Sequence, residues 1–332
     1  MQAHTIGGGD RPELKVVELG ATVVSLRPFS PDAEGHRADV VLGHPDLAGY
    51  RARPTPYLGA VVGRYANRIA HSRFTLDGTT HVLPANEGDN CLHGGPEGFH
   101  ARDWTVTEVT ADGIRLELVS EDGDQGFPGR LTTTVTYRVT PTSVTVDITA
   151  RTTAPTVVNV TNHTYWNLAG EGSGSVDGHL LTVDADEYLP VDDESIPLEG
   201  PEQVDGTALD LRRAEPIGAA VRRDDAQVAR TGGIDHCYLL RGTGMRRAAR
   251  LEDPRTGRAL EVHTDQPGLQ VYTGNHLDGS VVGPSGRRYR QGDGVALETQ
   301  RLPDAPNRAW MPSPVLQPDD TYRSSTQWRF EG

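Results

Sequence analysis

An alternating pattern fills the stretch Leu131-Thr132-Thr133-Thr134-Val135-Thr136-Tyr137-Arg138-Val139. It returns in Val144-Thr145-Val146-Asp147-Ile148-Thr149, after the turn at residues 141–143. Successive side chains of a strand point to opposite faces, so a period of two predicts two strands that each bury one face. Their content of threonine, valine and isoleucine supports the same assignment. The pair therefore predicts an antiparallel hairpin.

Strand-like segments recur along the chain, at residues 21–26, 38–42, 104–109, 114–119, 157–160, 179–183, 260–262 and 269–272. Turn dipeptides separate several of them: Asp77-Gly78, Asp112-Gly113, Pro128-Gly129 and Thr256-Gly257. No segment of a dozen residues holds a period of 3.6, and the best helical candidate, residues 215–222, is only one or two turns long. The pattern predicts an all-β fold. Because we find neither a repeat nor a linker, we expect a single domain over residues 1–332.

The charge, the apolar runs and the cysteines of the chain argue against several classes of function. The 332 residues carry a formal charge of −14, which argues against nucleic acid or an anionic membrane as the main partner. The first residues lack the features of a signal peptide, and no apolar run approaches the ~18 residues of a membrane span. Cys91 and Cys237 form neither a CxxC pair nor a zinc spacing. We therefore expect a cytoplasmic protein with free thiols and no structural metal.

A lone carboxylate interrupts the apolar stretch Val295-Ala296-Leu297-Glu298-Thr299-Gln300. With a period of two, Glu298 shares one face with Ala296 and Gln300. It points either to solvent, as most glutamates do, or into a polar pocket. In a pocket the ionised group is partly desolvated, which costs several kcal/mol unless partners compensate. A carboxylate held in that way is a candidate general base.

Two windows that contain glycine place polar groups where strand rules do not. In Gly63-Arg64-Tyr65-Ala66-Asn67-Arg68-Ile69, the arginines and the asparagine either recognise hydroxyl groups or form salt bridges in a surface turn. In Asn90-Cys91-Leu92-His93-Gly94-Gly95-Pro96, the glycines either let a ligand approach the backbone beside His93 or serve a tight turn. The sequence leaves both alternatives open for each window.

Further polar positions follow later in the chain. The window Asn159-Val160-Thr161-Asn162-His163-Thr164-Tyr165-Trp166-Asn167-Leu168 surrounds a histidine with donors and acceptors, which can fix the tautomer that acid-base work requires. Trp166 either stacks on a ligand or packs in the core. In Gly233-Ile234-Asp235-His236-Cys237-Tyr238, Asp235 either caps a turn or binds a pair of hydroxyls.

The acidic segment 191–206 is a long surface loop or the rim of a binding cleft. A metal bound by His93, His163 and Asp235 is conceivable, but no ligand spacing in the sequence supports it.

In this order, the windows resemble the signatures of the aldose 1-epimerase family, the galactose mutarotases. The similar stretches are Tyr57-Leu58-Gly59-Ala60-Val61-Val62-Gly63-Arg64 with Asn67-Arg68-Ile69, Leu92-His93-Gly94-Gly95, Thr161-Asn162-His163-Thr164-Tyr165-Trp166-Asn167-Leu168-Ala169-Gly170, Ile234-Asp235-His236, Gln270-Val271-Tyr272-Thr273-Gly274-Asn275, and Leu297-Glu298-Thr299-Gln300 with Pro303-Asp304-Ala305-Pro306-Asn307. They span most of the chain. The departures from the family pattern, at Leu198-Glu199-Gly200 and at Asp319, do not involve Glu298 or His163.

The resemblance implies one large antiparallel β-sandwich of the galactose mutarotase type, with the site in a cleft on one sheet. It implies that Glu298 is the general base and His163 the general acid. It also implies that six residues bind the hydroxyl groups of a monosaccharide: Asn67, Arg68, His93, Tyr165, Asp235 and Gln270. Under it, the chain interconverts the α- and β-anomers of a free aldose, galactose or glucose, and requires neither a cofactor nor a metal.

Anomer interconversion breaks the bond between C1 and the ring oxygen and closes it on the other face, so protons move at two oxygens. Reference pKa values of about 4.3 and 6.5 would leave Glu298 and His163 nearly matched to neutral pH. For both to reach adjacent oxygens, we expect them to lie on the order of 6 Å apart. The preferred aldose stays open, as does the choice between monomer and homodimer.

Two other functions remain compatible with the sequence. A glycoside hydrolase would pair Glu298 with Asp235 or Asp304 at about 5 to 9.5 Å. A non-catalytic sugar-binding protein would keep the pocket without turnover.

Overall fold

The computed structural model describes residues 2–30 and 37–332. Within them the strands are, in chain order, β1 Ala3–Gly7, β2 Glu13–Val17, β3 Thr22–Arg27, β4 Val61–Val62, β5 Arg68–Ile69, β6 Arg73–Leu76, β7 Thr79–Val82, β8 Cys91–Leu92, β9 Thr105–Val109, β10 Gly113–Ser120, β11 Leu131–Val139, β12 Ser143–Thr152, β13 Thr156–Val157, β14 Thr161–Asn162, β15 Tyr165–Trp166, β16 Leu180–Val183, β17 Ala185–Tyr188, β18 Glu202–Gln203, β19 Glu215–Pro216, β20 Asp235–Leu240, β21 Arg246–Asp253, β22 Arg258–Thr264, β23 Gly268–Tyr272, β24 Asp278–Val282, β25 Arg288–Arg290, β26 Val295–Gln300, β27 Val315–Leu316 and β28 Tyr322–Glu331. The helices are α1 Leu47–Ala52, α2 Ile217–Ala220 and α3 Ala226–Thr231, with single 3-10 turns at Ala70–Ser72, Phe99–Ala101, Asp124–Gly126 and Ala305–Asn307. No helix among the described residues is long and apolar enough to span a membrane.

Two large sheets form the body. The strand order is β19-β16-β21-β22-β28-β12-β11-β10-β9 in the nine-stranded sheet and β15-β26-β23-β20-β17-β18 in the six-stranded sheet. Neighbouring strands in both are antiparallel, and apolar residues of both sheets belong to one buried cluster. The predicted all-β antiparallel sandwich is confirmed.

The alternating stretch forms the predicted hairpin. β11 and β12 pair antiparallel, with Val135 opposite Ile148. Leu131, Thr133, Val135 and Tyr137 are fully buried, whereas Thr132, Thr134 and Thr136 are partly exposed, because one face of the strand meets the core. The period of two in the sequence therefore marks which residues enter the space between the sheets.

The six-stranded sheet differs because both of its faces are covered at β26, where all six residues are buried. Val295 and Leu297 point into the core between the sheets. The alternate residues, including Glu298, lie on the opposite face. The segment that carries β4, β5 and β8 covers that face, and it is tied down by the pairing of Val61 with Asn162. This covered outer face holds the candidate site.

Some expected elements are absent or shorter. Residues 38–42 do not form a strand, because Val40 donates to the carbonyl of Leu26 while Leu42 donates to that of Tyr165, so no continuous ladder forms with one neighbour. Of the expected strand at 157–160, only Val157 lies in a strand, as the last residue of β13. The helix expected at 215–222 is the short α2.

Helices α1 and α3 were not predicted. Each begins after an aspartate, Asp46 or Asp225, whose side chain accepts a hydrogen bond from a backbone N–H of the first turn.

Packing settles the alternative left open for Trp166. Trp166 lies in the core, with its ring 5.0 Å from that of Trp328 and nearly perpendicular to it. Cys91 and Cys237 are free and buried, as expected.

Arg64 is buried and bonded mainly to backbone carbonyls, so neither hydroxyl recognition nor a surface salt bridge, the two interpretations of its window, describes its contacts. It is 2 % exposed, and its guanidinium donates to the hydroxyl and carbonyl of Ser120 and to the carbonyls of Glu121, Pro128 and Gly129. Burial lowers its pKa to about 10. The side chain therefore fastens the loop between β10 and β11 to the covering segment.

We predict that Arg64→Met lowers the free energy of unfolding by about 3 kcal/mol or more, because several buried carbonyls lose their donor. Urea denaturation measures the change. Arg115→Met is the matched control, since Arg115 is an exposed arginine in a surface ion pair, and its effect should stay within about 0.5 kcal/mol. Equal effects of the two substitutions would contradict a structural role for Arg64.

Candidate active site

A cavity of about 380 Å³ opens on the covered outer face of the six-stranded sheet. Of the eight residues that the sequence singled out, seven line it: Asn67, Arg68, His93, His163, Tyr165, Asp235 and Glu298. The eighth, Gln270, lies beside it on β23 and donates from Nε2 to Oδ1 of Asp235 at 2.6 Å. Residues far apart in the chain thus meet in one cleft.

Sheet register places Glu298 and His163 together. β15 pairs antiparallel with β26 so that Tyr165 is opposite Ala296. His163 precedes Tyr165 by two residues and Glu298 follows Ala296 by two, so the same register brings the two side chains across from one another. Nε2 of His163 lies 3.5 Å from Oε1 of Glu298.

This separation is shorter than the expected 6 Å, because the two side chains lie on directly facing backbone segments. Both are within reach of adjacent oxygens on one small ligand.

Burial controls the protonation of this pair. Glu298 is 2 % exposed, and burial raises its pKa well above the usual range, with the charge of Asp235 adding to the effect and that of Arg68 opposing it. Burial lowers the pKa of His163 to about 4. The expectation that reference pKa values leave the pair nearly matched to neutral pH is therefore wrong, because those values do not include desolvation. Burial therefore favours the arrangement in which both groups are uncharged, with a proton on Glu298 and a neutral imidazole at His163.

Aromatic rings enclose the imidazole of His163. Tyr165 lies at a centroid distance of 5.0 Å, His93 at 5.2 Å and Tyr57 at 5.7 Å. The hydroxyl of Tyr165 donates to the carbonyl of Pro56, which fixes its ring as part of this wall. The Glu298–His163 pair is thus enclosed by aromatic side chains that leave little room for water.

His93 is held in one tautomer. Its Nδ1 accepts the backbone N–H of Asn67 at 3.1 Å, so the proton of the neutral ring lies on Nε2. Burial, together with the charges of His163 and Arg68, lowers the pKa of His93 well below its usual value. Asn67 and His93 both have left-handed backbones, with φ of 65° and 53°. With the backbone turned at these two residues, the uncharged Nε2–H of His93 is available as a donor in the cavity.

Arg68 forms the charged side of the cavity. Its Nε and Nη2 donate to the two carboxylate oxygens of Glu87 at 2.6 and 2.8 Å, and its Nη1 lies 3.6 Å from Oδ2 of Asp235. Burial alone would lower the pKa of the guanidinium, but Asp235 and Glu87 raise it overall. With Gln270 bound to Asp235, these side chains form a fixed row of donors and acceptors suited to hydroxyl groups.

Sequence reasoning missed several lining residues, notably Tyr57, Glu87, Tyr272 and His276. Tyr57 begins one of the stretches quoted above, but no role was assigned to it. Tyr272 alternates with Gln270 on β23, and this period could have identified it. Glu87 lies in an unremarkable turn, and no signal in the sequence pointed to it.

A second cavity of about 640 Å³ adjoins the first and shares Arg68, Glu87, Asp235 and His276 with it. Asp193, Glu194 and Ser195, from the segment 191–206, form part of its wall. Oε2 of Glu194 accepts from the side chain of Asn90 at 2.9 Å, and Asn90 is the first residue of the window that contains His93. The segment therefore borders the cleft region, as the rim interpretation expected.

The described residues contain one group of three side chains spaced for a metal: His93, His163 and Glu298, with ligand atoms within 4.8 Å of one another. This is not the trio considered from the sequence, which included Asp235. In the tautomer that Asn67 imposes, Nε2 of His93 carries a proton and cannot act as a ligand. The donor set therefore fits proton transfer to a small molecule better than metal binding.

Comparison with known proteins adds independent findings. A family model described as aldose 1-epimerase matches residues 2–329. The galactose mutarotase of Bos taurus is 42% identical over 322 residues, which cover 97% of this chain and 92% of the relative. The aldose 1-epimerase of Escherichia coli (strain K12) is also 42% identical, over 95% of this chain and 91% of its own.

Solved structures agree with the sequence relatives. An aldose epimerase homologue from C. elegans superposes with a TM-score of 0.90 at 27% identity, covering 99% of both chains. A galactose 1-epimerase from Lactobacillus acidophilus gives 0.85 at 29% identity, covering 98% of this chain and 93% of the other. The chain belongs to the aldose 1-epimerase family.

Proposed function

We propose that this chain interconverts the α- and β-anomers of a free aldose, with Glu298 as the general base and His163 as the general acid. The observation that carries the proposal is the buried Glu298–His163 pair, 3.5 Å apart across one cleft. The family relationship supports the same reaction. Since the lining residues extend from Thr55 to Glu298, the proposal treats the whole chain as one catalytic domain.

Ring opening moves one proton through each member of the pair. Glu298 takes the proton of the anomeric hydroxyl, while His163 gives a proton to the ring oxygen as its bond to C1 breaks. The aldehyde then rotates about the bond between C1 and C2. On closure His163 takes its proton back from the attacking hydroxyl, and Glu298 returns a proton to the carbonyl oxygen. The site ends as it began.

The remaining residues hold the sugar. Asp235 and Glu87 accept from hydroxyl groups, and Arg68, Asn67 and His93 donate to them. Hydrogen bonds to the charged members contribute about 1.5 to 3 kcal/mol each. Gln270 supports this set by orienting the carboxylate of Asp235, and the ring of Tyr165 closes the cavity on the reactive side.

Hydrolysis of glycosides is not favoured by the contacts. Asp304 does not line the cavity, and its carboxylate accepts from the N–H of Ala70 and from the side chains of Asn307 and Arg308. Asp235, the other carboxylate considered, lies beside Arg68 and accepts from Gln270. The titratable group nearest to Oε1 of Glu298 is the imidazole of His163, not a second carboxylate.

We predict that Glu298→Gln lowers the rate of mutarotation by about 10²- to 10⁴-fold, because an amide cannot accept the proton of the anomeric hydroxyl. Polarimetry on freshly dissolved α-galactose, with α-glucose in parallel, measures the rate. The affinity for galactose, measured by calorimetry, should change little because glutamine has nearly the same size and shape as glutamate.

The exposed Glu199 provides the matched control, and Glu199→Gln should retain the full rate. A Glu298→Gln variant that keeps its rate would exclude the acid-base assignment. Release of reducing sugar from an aryl glycoside by the unaltered protein would favour a hydrolase instead.

We predict a bell-shaped pH profile of kcat/KM whose plateau marks the form with one shared proton. Its acid limb, where His163 gains a second proton, should lie near pH 4 because burial lowers that pKa. Its alkaline limb marks loss of the last proton, and the raised pKa of Glu298 moves this limb upward. The enzymatic rate after subtraction of spontaneous mutarotation gives the profile. A plateau confined to the range between about 4.3 and 6.5 would mean that burial does not shift the pair.

We also predict discrimination against phosphorylated sugars. Of the charged side chains that line the cavity, Arg68 is the one guanidinium and already contacts Glu87 and Asp235, whereas Asp278 and Glu298 add further carboxyls. A phosphate dianion would meet several kcal/mol of repulsion from the carboxylates of Glu87, Asp235 and Asp278, so kcat/KM for galactose 6-phosphate should be at least about 100-fold below that for galactose. Anomer exchange measured by NMR gives both values. 6-O-methylgalactose controls for bulk, and equal losses for the two derivatives would refute a charge effect.

A further inference from the structure

Three neighbouring side chains on the site face of the six-stranded sheet leave buried polar atoms without a hydrogen-bond partner among the described residues. These atoms are Oε2 of Glu298, Oε1 of Gln270, and both Oε1 and Nε2 of Gln300. Gln270 is directly opposite Glu298 in the pairing of β23 with β26. Gln300 follows Glu298 by two residues on β26 and therefore points to the same face.

The unpaired atoms complement one another. Oε2 of an ionised Glu298 and Oε1 of Gln270 are acceptors, whereas Nε2 of Gln300 is a donor. Buried polar atoms of this kind are rarely left unpaired in folded proteins, because each costs about 1 to 3 kcal/mol. A buried water typically makes about three hydrogen bonds, and here it could donate to both acceptors and accept from Gln300.

We propose that Gln300 holds an ordered water against Oε2 of Glu298, and that Gln300 is thereby a positioning residue for the general base. The inference rests on the proposed function for its catalytic consequence. Oε1 of Glu298 faces His163, so the water takes the carboxylate oxygen that does not face the acid. Gln300 itself is fully buried and does not line the cavity.

The surroundings of Gln300 suit this role. Cys237 is opposite Gln270 in the pairing of β20 with β23, and its thiol contacts the side chain of Gln300. The thiol proton is directed at the carbonyl of Tyr238, so Cys237 does not donate to Gln300. Nε2 of Gln300 carries two N–H groups, so one remains for the water when the other points at the sulfur. Beyond this position the face is apolar, with Leu302 and Met311 in the same cluster as Cys237.

A hydrogen bond donated to the ionised form of a carboxyl lowers its pKa. The water would therefore oppose the effect of burial on Glu298 and raise the share of the pair that is ready to open the ring. The other titratable or charged groups around Glu298 are His93, His163, Tyr165, Asp235, Cys237, Tyr272 and Arg68. None of them is altered in the test below.

The first test is Gln300→Met, which keeps the length of the side chain and removes both polar atoms. We expect kcat/KM on the plateau to fall about tenfold, and the alkaline limb of its pH profile to move up by about one unit, since both follow from one raised pKa. Thr299→Val is the control, because Thr299 is buried on the opposite face of β26 and bonds Thr326. That substitution should leave the limb in place.

A fall in rate without movement of the limb would show that Gln300 has only a structural role. An unchanged rate and profile would equally refute the proposal. Glu298→Gln and the unaltered protein, assayed together, test the proposed function itself, so its failure is distinguished from failure of the Gln300 inference.

The second test does not depend on the folding of a variant. A high-resolution crystal structure of the unaltered protein should contain a water within about 2.6 to 3.2 Å of Glu298 Oε2, Gln270 Oε1 and the Gln300 amide. Density for a direct side-chain contact in place of the water would overturn the inference.

Discussion

Glu298 and His163 face each other because β15 and β26 pair in one register, and a shift by a single residue would turn the carboxylate into the core between the sheets. The pairing of β26 with β23, and of β23 with β20, fixes the register of these neighbouring strands as well. It places Gln270 beside the base and Asp235 one strand further. Recognition of the sugar therefore depends on the same ladder that assembles the reactive pair.

The desolvation of Glu298 and His163 affects the energetics of the proposed ring opening. Burial favours the state in which Glu298 is protonated and His163 is neutral. That is also the state reached after the ring has opened, when the carboxylate has taken a proton and the imidazole has given one. Ring opening thus moves the site toward its preferred charge distribution, and closure requires the reverse. If burial favoured protonated Glu298 and neutral His163 too strongly, the open-chain aldose would be stabilised and ring closure would be slow. Groups that stabilise the ionised carboxylate of Glu298 therefore make opening and closure more nearly equal in free energy.

Much of this arrangement could be predicted from the sequence, for identifiable reasons. β11 and β12 follow from a strict period of two, because each meets one core and one less buried face. Glu298 and His163 were identified by their windows, but their protonation was not, since desolvation depends on which distant segments cover them. Arg64 and Arg68 look alike in the sequence. Only the tertiary structure shows that Arg64 fastens a loop, whereas Arg68 enters the cleft.

Contacts between residues far apart in the chain account for the other differences between the sequence-based predictions and the structure. The apolar run at residues 38–42 reads as a strand, yet its backbone divides its hydrogen bonds between two neighbours that no local pattern reveals. Glu87 joins the site only because it binds Arg68 from the opposite wall, 19 residues away in the chain. Periodicity describes one element at a time, so it cannot report which side chains of different elements will be partners.

The cleft separates recognition from proton transfer. Its recognition side carries formal charges, but Arg68 is matched by Glu87 and Asp235, and at Glu298 the effects of Asp235 and Arg68 act in opposite directions. Its reactive side is formed by the rings of Tyr57 and Tyr165, whose phenols stay protonated because burial raises their pKa. Since burial has the largest effect on the pKa of Glu298 and Asp235 and Arg68 act on it in opposite directions, the protonation of the pair is governed mainly by burial and by the hydroxyl groups that the substrate itself brings. A ligand without an anomeric hydroxyl could therefore occupy the same recognition groups without taking part in proton transfer.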